Sequence, residues 1–307
     1  MLQTAAQRAL EYGRGFLSQG AVADYIPELA KADPNKLGLC IFTNDGQKVF
    51  CGDVDQRFTI QSISKVISLA TALQHRGFDK VFSKVMMEPS GDAFNSILKL
   101  DIASNRPYNP MINAGAIEVV SMLTTHFTFE QLLEYTRLLC KDPDIVLDEA
   151  VYESEKLTGD RNRAIAYLLR SKGVLAGDAM KTADLYFHLC SMSVNARSLA
   201  GLGLVIANGG IDPDSGRRLL DERVVRVVKT MMLTCGMYDG SGEFAVRVGI
   251  PAKSGVGGGI MGCVENRMGL GTYGPALDDK GNSIGGRQTL EHLSRTLHLH
   301  IFDSQED

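Results

Sequence analysis

No stretch of this 307-residue sequence is apolar for long enough to span a membrane. Met1 to Gly20 mixes small, charged and apolar residues at helical spacing (Leu2, Ala6, Leu10, Phe16, Leu17), without the unbroken apolar core of a signal peptide. A cytoplasmic location is therefore expected. The six cysteines (Cys40, Cys51, Cys140, Cys190, Cys235, Cys263) include no C-x-x-C pair, and most have apolar neighbours. Buried free thiols are expected rather than disulfides or zinc. Excess positive charge is missing too: the formal net charge is -4, with no block of one sign, so no basic surface for nucleic acid or an anionic membrane is implied. Internal repeats and low-complexity segments are absent.

What is present is globular. With 44% hydrophobic and 22% charged residues, the chain can bury a large core. Leu37 to Thr43 predicts a strand, Asn44-Asp45-Gly46 a hairpin turn, and Lys48 to Cys51 the returning strand. Arg57 to Ser64 leads into an apolar helix through Lys65, Val66, Ile67, Leu69, Ala70 and Leu73 that ends near Gly77. Asp79 to Pro110 is rich in breakers, and residues 111 to about 208 predict a run of helices. Among them are Phe129 to Cys140, Arg161 to Leu169, Thr182 to Cys190 and Ala196 to Ala207; Glu222 to Cys235 follows. Strands return at Ile250 to Lys253, Gly259 to Val264 and Met268 to Tyr273, before a last helix from Ile284 to Leu297. Strands at both ends and helices between predict one α+β domain over 1–307. Its mixed antiparallel sheet would come from roughly 1–75 and 220–307, with a helical subdomain inserted over roughly 76–219.

A serine hydroxyl needs something to take its proton before it becomes a nucleophile. On a helix, residues three apart share a face, so Ser-x-x-Lys can bring an amine beside a serine oxygen, and desolvation lowers that amine's pKa. Two such pairs occur, Ser62-Ile63-Ser64-Lys65 and Ser96-Ile97-Leu98-Lys99. Ser62 follows the strand-like Phe58-Thr59-Ile60 and opens the apolar helix, where free N–H groups and the macrodipole favour negative charge. Ser96 lies in loop-bounded chain and predicts a surface turn. On the motif alone, even Ser62 is better explained as a helix cap.

Ala252-Lys253-Ser254-Gly255-Val256-Gly257-Gly258-Gly259 shifts that balance. Ser-x-x-Lys enzymes carry Lys-[Thr/Ser]-Gly on a late strand of the same cleft. The glycines after Lys253 and Ser254 permit close backbone approach, so an amide near Val256 could donate to an oxyanion. A P-loop would need its lysine after the glycines, and a dinucleotide fingerprint would need a helix where a strand is predicted. Ser193-Val194-Asn195 matches a third element of such enzymes literally, but capping of the following helix explains Asn195. His298-Leu299-His300 lacks a carboxylate cluster and predicts a terminal strand or tail rather than a metal site.

Several long blocks then resemble the bacterial serine-dependent glutaminase family, which shares the β-lactamase and penicillin-binding-protein fold. They include Phe58 to Lys65, Asn109-Pro110-Met111-Ile112-Asn113-Ala114-Gly115-Ala116, Arg161-Asn162-Arg163-Ala164-Ile165-Ala166, Tyr186-Phe187-His188, Ser241 to Ala245 and Pro251 to Ile260. The resemblance implies that Ser62, Asn113, Glu155, Asn162, Tyr186, Tyr238 and Val256 bind glutamine. Ser62, Lys65, Tyr186 and Val256 would perform the chemistry, with Lys253 and Ser254 in support.

Glu155 could pair the α-ammonium, and Asn113 and Asn162 could bond the amino-acid end. By itself, Glu155 would be a solvated helix position. The implied reaction is hydrolysis of the glutamine side-chain amide through a γ-glutamyl ester on Ser62, with either Lys65 or Tyr186 as base. No metal or organic cofactor is implied. The resemblance also implies a homodimer or homotetramer, with no nucleic-acid or membrane partner. The alternatives are an enzyme of the same fold acting on β-lactams or D-alanyl peptides, and a non-catalytic amino-acid sensor. The missing export signal argues against the first, and Ser62, Lys65 and Lys253 together against the second.

Overall fold

Residues 1–90 and 106–303 are described in a computed structural model of the chain. The second Ser-x-x-Lys pair, Ser96 and Lys99, lies outside the described residues. Helix α1 (Leu2–Arg14) precedes the hairpin of β1 (Gly38–Thr43) and β2 (Lys48–Gly52). The short strand β3 (Phe58–Thr59) runs into α2 (Ser64–Arg76), followed by α3 (Phe78–Phe82), α4 (Asn113–Ser121) and α5 (Phe129–Cys140). Strand β4 (Val146–Leu147) leads to α6 (Glu149–Thr158), α7 (Asp160–Ser171) and α8 (Ala179–Cys190). Then come β5 (Met192–Val194), α9 (Ala196–Ala207), α10 (Glu222–Cys235) and α11 (Ser241–Arg247). Strands β6 (Ala252–Ser254), β7 (Gly259–Val264) and β8 (Met268–Tyr273) precede α12 (Ile284–Leu297).

The two ends of the chain build one antiparallel sheet, ordered β2-β1-β8-β7-β6. The seam between them is β1 against β8, in register from Gly38 opposite Tyr273 to Thr43 opposite Met268. Met268 and Leu270 on β8 face a core shared with α1 and α12. The intervening Gly269 and Gly271 face α9, where a Cβ on Gly271 would stand 2.0 Å from the Ala196 carbonyl oxygen. Side chains there would force the helix off the sheet, so the alternation of glycine with apolar residues seats α9.

The second core joins α2, α4, α5, α7, α8 and α10 with one face of α9, whose Leu199, Leu202, Val205 and Ile206 belong to it. Residues Ser64 to Leu73 of α2 are all buried, as an unstriped apolar sequence dictates for a helix enclosed on every side. A second small sheet, β3-β5-β4, which the sequence reading did not anticipate, ties the start of α2 to the end of α8.

Some boundaries differ from expectation. The strand predicted at Ile250 to Lys253 begins at Ala252, because Pro251 has no N–H to give the ladder. His298 closes α12 in left-handed backbone, and the His300 ring donates from Nε2 to the Ala245 carbonyl (3.1 Å), so of the expected strand or tail this segment is a tail after a helix stop. Ser62 sits just before α2, in a 3-10 turn over Gln61–Ile63. Asn195 caps α9 by accepting from the Ser198 amide, as capping chemistry predicts. All six cysteines are buried free thiols. Among the described residues no helix is long and apolar enough to cross a membrane.

Candidate active site

Ser62 is placed by a sharp reversal between strand and helix. The pairing of β3 with β5 continues in the Ile60 amide, which donates to the Met192 carbonyl (2.8 Å). The chain then turns at Gln61, whose φ of 49° is left-handed backbone that a side chain resists. In the tight turn that follows, residues three apart eclipse, so Ser62 and Lys65 share a face although only Lys65 is on the α-helix.

The glycines after Lys253 bring the edge strand against this turn. A Cβ on Gly257 would stand 2.4 Å from the Thr59 carbonyl oxygen, and one on Gly255 would stand 2.8 Å from that of Ile60. Only glycine lets the two backbones come so close, and Val256 lies between them. Tyr238, also left-handed at φ 54°, approaches from the loop after α10. Its turn is held by Ser241 Oγ, which accepts from the Met237 amide (3.0 Å) and donates to the Tyr238 carbonyl (2.7 Å). The Tyr238 hydroxyl is within hydrogen-bonding reach of Ser62 and of the Val256 backbone amide. Two strained non-glycine residues thus flank one serine.

Five of the expected positions, Ser62, Asn113, Glu155, Asn162 and Tyr186, line one cavity of ≈ 100 Å³. Asn113, the first residue of α4, joins several of them. Its Oδ1 accepts from Lys65 Nζ (2.7 Å) and from the Tyr186 hydroxyl (3.4 Å), while its Nδ2 donates to Asn162 Oδ1 (3.0 Å). Lys65 Nζ also donates to the Met111 carbonyl (3.2 Å). Val256 and Tyr238 belong to the apolar cluster beside this cavity, and Lys253 Nζ lies 4.5 Å from the Tyr238 ring centroid. Lys253 donates to the carbonyls of Gly236 (3.1 Å) and Ser254 (2.7 Å). The Ser254 hydroxyl is fully buried and has no hydrogen-bond partner among the described residues.

Glu155 is 5% exposed, so it is not the solvated helix position that its local sequence suggests. Burial pushes its carboxyl up to about 8, against hydrogen bonds from Gln61 and Ser191 and the charge of Lys65. Burial likewise brings the Lys65 ammonium down to about 8. Lys253 falls well below its ordinary value, first by burial and then by repulsion from Lys65. Tyr186 is pushed far up, mainly by burial.

Tyr25, Gln61 and Cys190 line the same cavity and were not singled out from sequence. The signal for Gln61 was its place beside Ser62. Tyr25 carries no motif of its own in the sequence, and Cys190 read only as one of the buried thiols.

A family model for glutaminase matches residues 20–302. The chain belongs to the glutaminase family. A glutaminase of Clostridium perfringens is 52% identical over 297 residues, covering 95% of this chain and 97% of that one. A glutaminase of Clostridioides difficile is 50% identical over 304 residues, 98% of each chain. Among solved structures, a Bacillus subtilis glutaminase in covalent complex with 5-oxo-L-norleucine, formed by reaction with 6-diazo-5-oxo-L-norleucine, matches with a TM-score of 0.89 at 37% identity, covering 98% of this chain and 99% of that one. The expected β-lactamase-like α+β fold is the one observed. As a glutaminase, the enzyme is a hydrolase of linear amides that converts glutamine to glutamate.

Proposed function

We propose that this glutaminase works through a γ-glutamyl ester on Ser62, and that its pocket reads the amino-acid end of glutamine through Glu155, Asn162, Asn113 and Tyr186. The observation that carries the reading is Glu155, a buried carboxyl in the lining of the Ser62 cavity with no cation bonded to it among the described residues. The α-ammonium of glutamine is the partner it lacks, and bringing that charge in restores the carboxylate. In this arrangement the side-chain amide points back to Ser62.

Ser62 Oγ attacks the amide carbon as Lys65 takes its proton. Lys65 is favoured over Tyr186 because its amine is near 8 and fixed by Asn113, whereas the Tyr186 phenol is far above neutrality and donates to Asn113. The backbone amides of Ser62 and Val256 hold the oxyanion, each contributing about 3 kcal/mol to the transition state. Tyr238, a neutral phenol, hands a proton to the departing nitrogen. Water then cleaves the ester by the reverse path, releasing glutamate. Lys253 and Ser254 hold the strand and the Tyr238 ring in place.

A cytoplasmic location and a homodimeric or homotetrameric assembly belong to the same proposal. The six buried free thiols suit a reducing compartment. Light scattering on the purified chain reads the assembly. The chemical reading is tested with Ser62→Ala: ammonia release from glutamine disappears while the thermal transition is kept. Activity comparable with the parent would sink it.

A further inference from the structure

Tyr238 has a left-handed backbone that tyrosine does not favour, so contacts beyond its own sequence must hold it there. The φ angle of a residue follows the peptide plane before it, here the plane of the Met237 carbonyl and the Tyr238 amide. Two donors fix that carbonyl. The Gly240 amide donates to it from the 3-10 turn over Tyr238–Gly240 (3.0 Å), and Asn282 Nδ2 donates to it from a distant part of the chain (3.4 Å). Ser241 Oγ holds the other side of Tyr238 by donating to its carbonyl. Of these groups only Asn282 lies outside the segment it orients.

The Asn282 side chain is fully buried, and its Oδ1 has no hydrogen-bond partner among the described residues. A buried amide with a bare oxygen is costlier than an apolar side chain of that size, so the bond its nitrogen makes accounts for the residue. The turn that presents Asn282 is closed on itself. Asp278 Oδ1 accepts from the amides of Lys280 (3.0 Å) and Asn282 (2.9 Å), and the Asp278 amide donates to the Asn282 carbonyl (2.8 Å). Gly281 supplies the left-handed residue, at φ 88°. Arg287 on α12 pairs with Asp278 (3.5 Å) and with Glu243 on α11 (3.4 Å), which ties the turn to the helix that follows Tyr238. Leu277, at the start of the turn, packs in one apolar cluster with Tyr238 and Val256.

We propose that Asn282 is a positioning residue for the leaving-group step, holding the strained turn that aims the Tyr238 hydroxyl at Ser62. This rests on the reading above, in which Tyr238 protonates the departing nitrogen. In that step the C–N bond of the tetrahedral intermediate breaks, the phenol proton goes to the nitrogen, and ammonia leaves. Tyr238 regains its proton from the water that attacks the ester, and Lys65 returns the other to Oγ. Without Asn282 the Met237–Tyr238 peptide turns, the backbone relaxes toward negative φ, and the hydroxyl moves out of reach of Ser62. A leaving group that departs as an anion has no use for that proton. The γ-methyl thioester of glutamate provides one: its C–S bond breaks to a thiolate, which is protonated in solvent.

The test compares kcat/KM for glutamine and for the thioester in Tyr238→Phe, Asn282→Ala, Asn282→Ser and the double variant Tyr238→Phe/Asn282→Ala. Serine is too short to reach the Met237 carbonyl, so both Asn282 substitutions remove the bond, and serine leaves the smaller void. Tyr238→Phe loses about 100-fold on glutamine, as for a missing general acid, and at most about threefold on the thioester. Each Asn282 variant loses about tenfold on glutamine and at most about threefold on the thioester. Adding Asn282→Ala to Tyr238→Phe costs glutamine nothing further, because the two residues act as one unit. Equal losses on both substrates in the Asn282 variants, no loss on glutamine, or a full further loss in the double variant overturns the positioning role. Failure of both Asn282 variants to fold also overturns it, since Asn282 would then hold the domain rather than the turn. If Tyr238→Phe is selective for glutamine and the Asn282 variants are not, the proton-donor reading of Tyr238 stands and only this inference falls. If Tyr238→Phe loses both substrates alike, both fall.

Discussion

The ammonium of Lys65 donates to the side-chain oxygen of Asn113 at 2.7 Å. That one bond ties the base to the amino-acid side of the pocket, because Asn113 also bonds Asn162 and Tyr186. It is a neutral acceptor, so it orients the amine without adding a negative charge that would hold the proton on it.

The pH profile follows from this. With Lys65 and Glu155 both near 8 in the empty enzyme, kcat/KM rises as pH passes through about 8, where the amine becomes a base and the carboxyl a carboxylate. Asn113→Asp places a charge against Lys65, raises its pKa and moves that rise to higher pH. A profile that keeps its midpoint in Asn113→Asp contradicts Lys65 as the titrating base.

Glu155→Gln removes the charge but not the shape. KM for glutamine increases roughly tenfold to a hundredfold, the worth of a hydrogen bond to a charged group. A glutamine analogue without the α-ammonium discriminates: parent and variant handle it alike. Equal losses on both substrates would assign Glu155 a structural role instead.

Gly257→Ala puts a methyl group 2.4 Å from the Thr59 carbonyl oxygen, which pushes Val256 away from Ser62. A misplacement of about 1 Å at an oxyanion donor costs up to about 100-fold in kcat, with KM little affected. Steady-state kinetics separate the two parameters. A loss confined to KM would show that Val256 does not meet the transition state.

Glu118, on α4, is fully buried, and neither carboxyl oxygen has a hydrogen-bond partner among the described residues; the Ser121 hydroxyl is committed to the Glu118 backbone carbonyl (2.7 Å). Burial raises it to about 8, against attraction from Lys84 and Lys80. The folded protein therefore holds a proton that the unfolded chain gives up near the ordinary glutamate value. Stability falls as pH rises from that value to about 8, by at most about 1.4 kcal/mol per pH unit from this group. Glu118→Gln flattens that slope in denaturation midpoints taken from pH 5 to pH 8. An unaltered slope would show that Glu118 is ionised in the folded state.

The fold was legible where local chemistry decides it. Asp45-Gly46 marked the β1–β2 hairpin, and the expected bounds of α5, α9, α10, β7, β8 and α12 match those observed, because each has a cap, turn or apolar period at its ends. The β3-β5-β4 sheet was missed because strands of two or three residues have no period to read, and their pairing joins segments more than 130 residues apart at Phe58 and Val194. In the site, Lys253-Ser254-Gly255 signalled a cleft strand, but the left-handed backbone at Gln61 and Tyr238 is a tertiary constraint on residues that do not favour it. Glu155 shows the same limit: its neighbours Glu153 and Lys156 look solvated, and only the packing of α6 on α8 turns it inward.

The most direct test of the account is the site of covalent modification. After reaction with 6-diazo-5-oxo-L-norleucine, the analogue that modified the Bacillus subtilis relative, peptide mass spectrometry finds the adduct on Ser62, and excess glutamine protects it. An adduct on Ser96 or another residue, with Ser62 unmodified, would contradict Ser62 as the nucleophile.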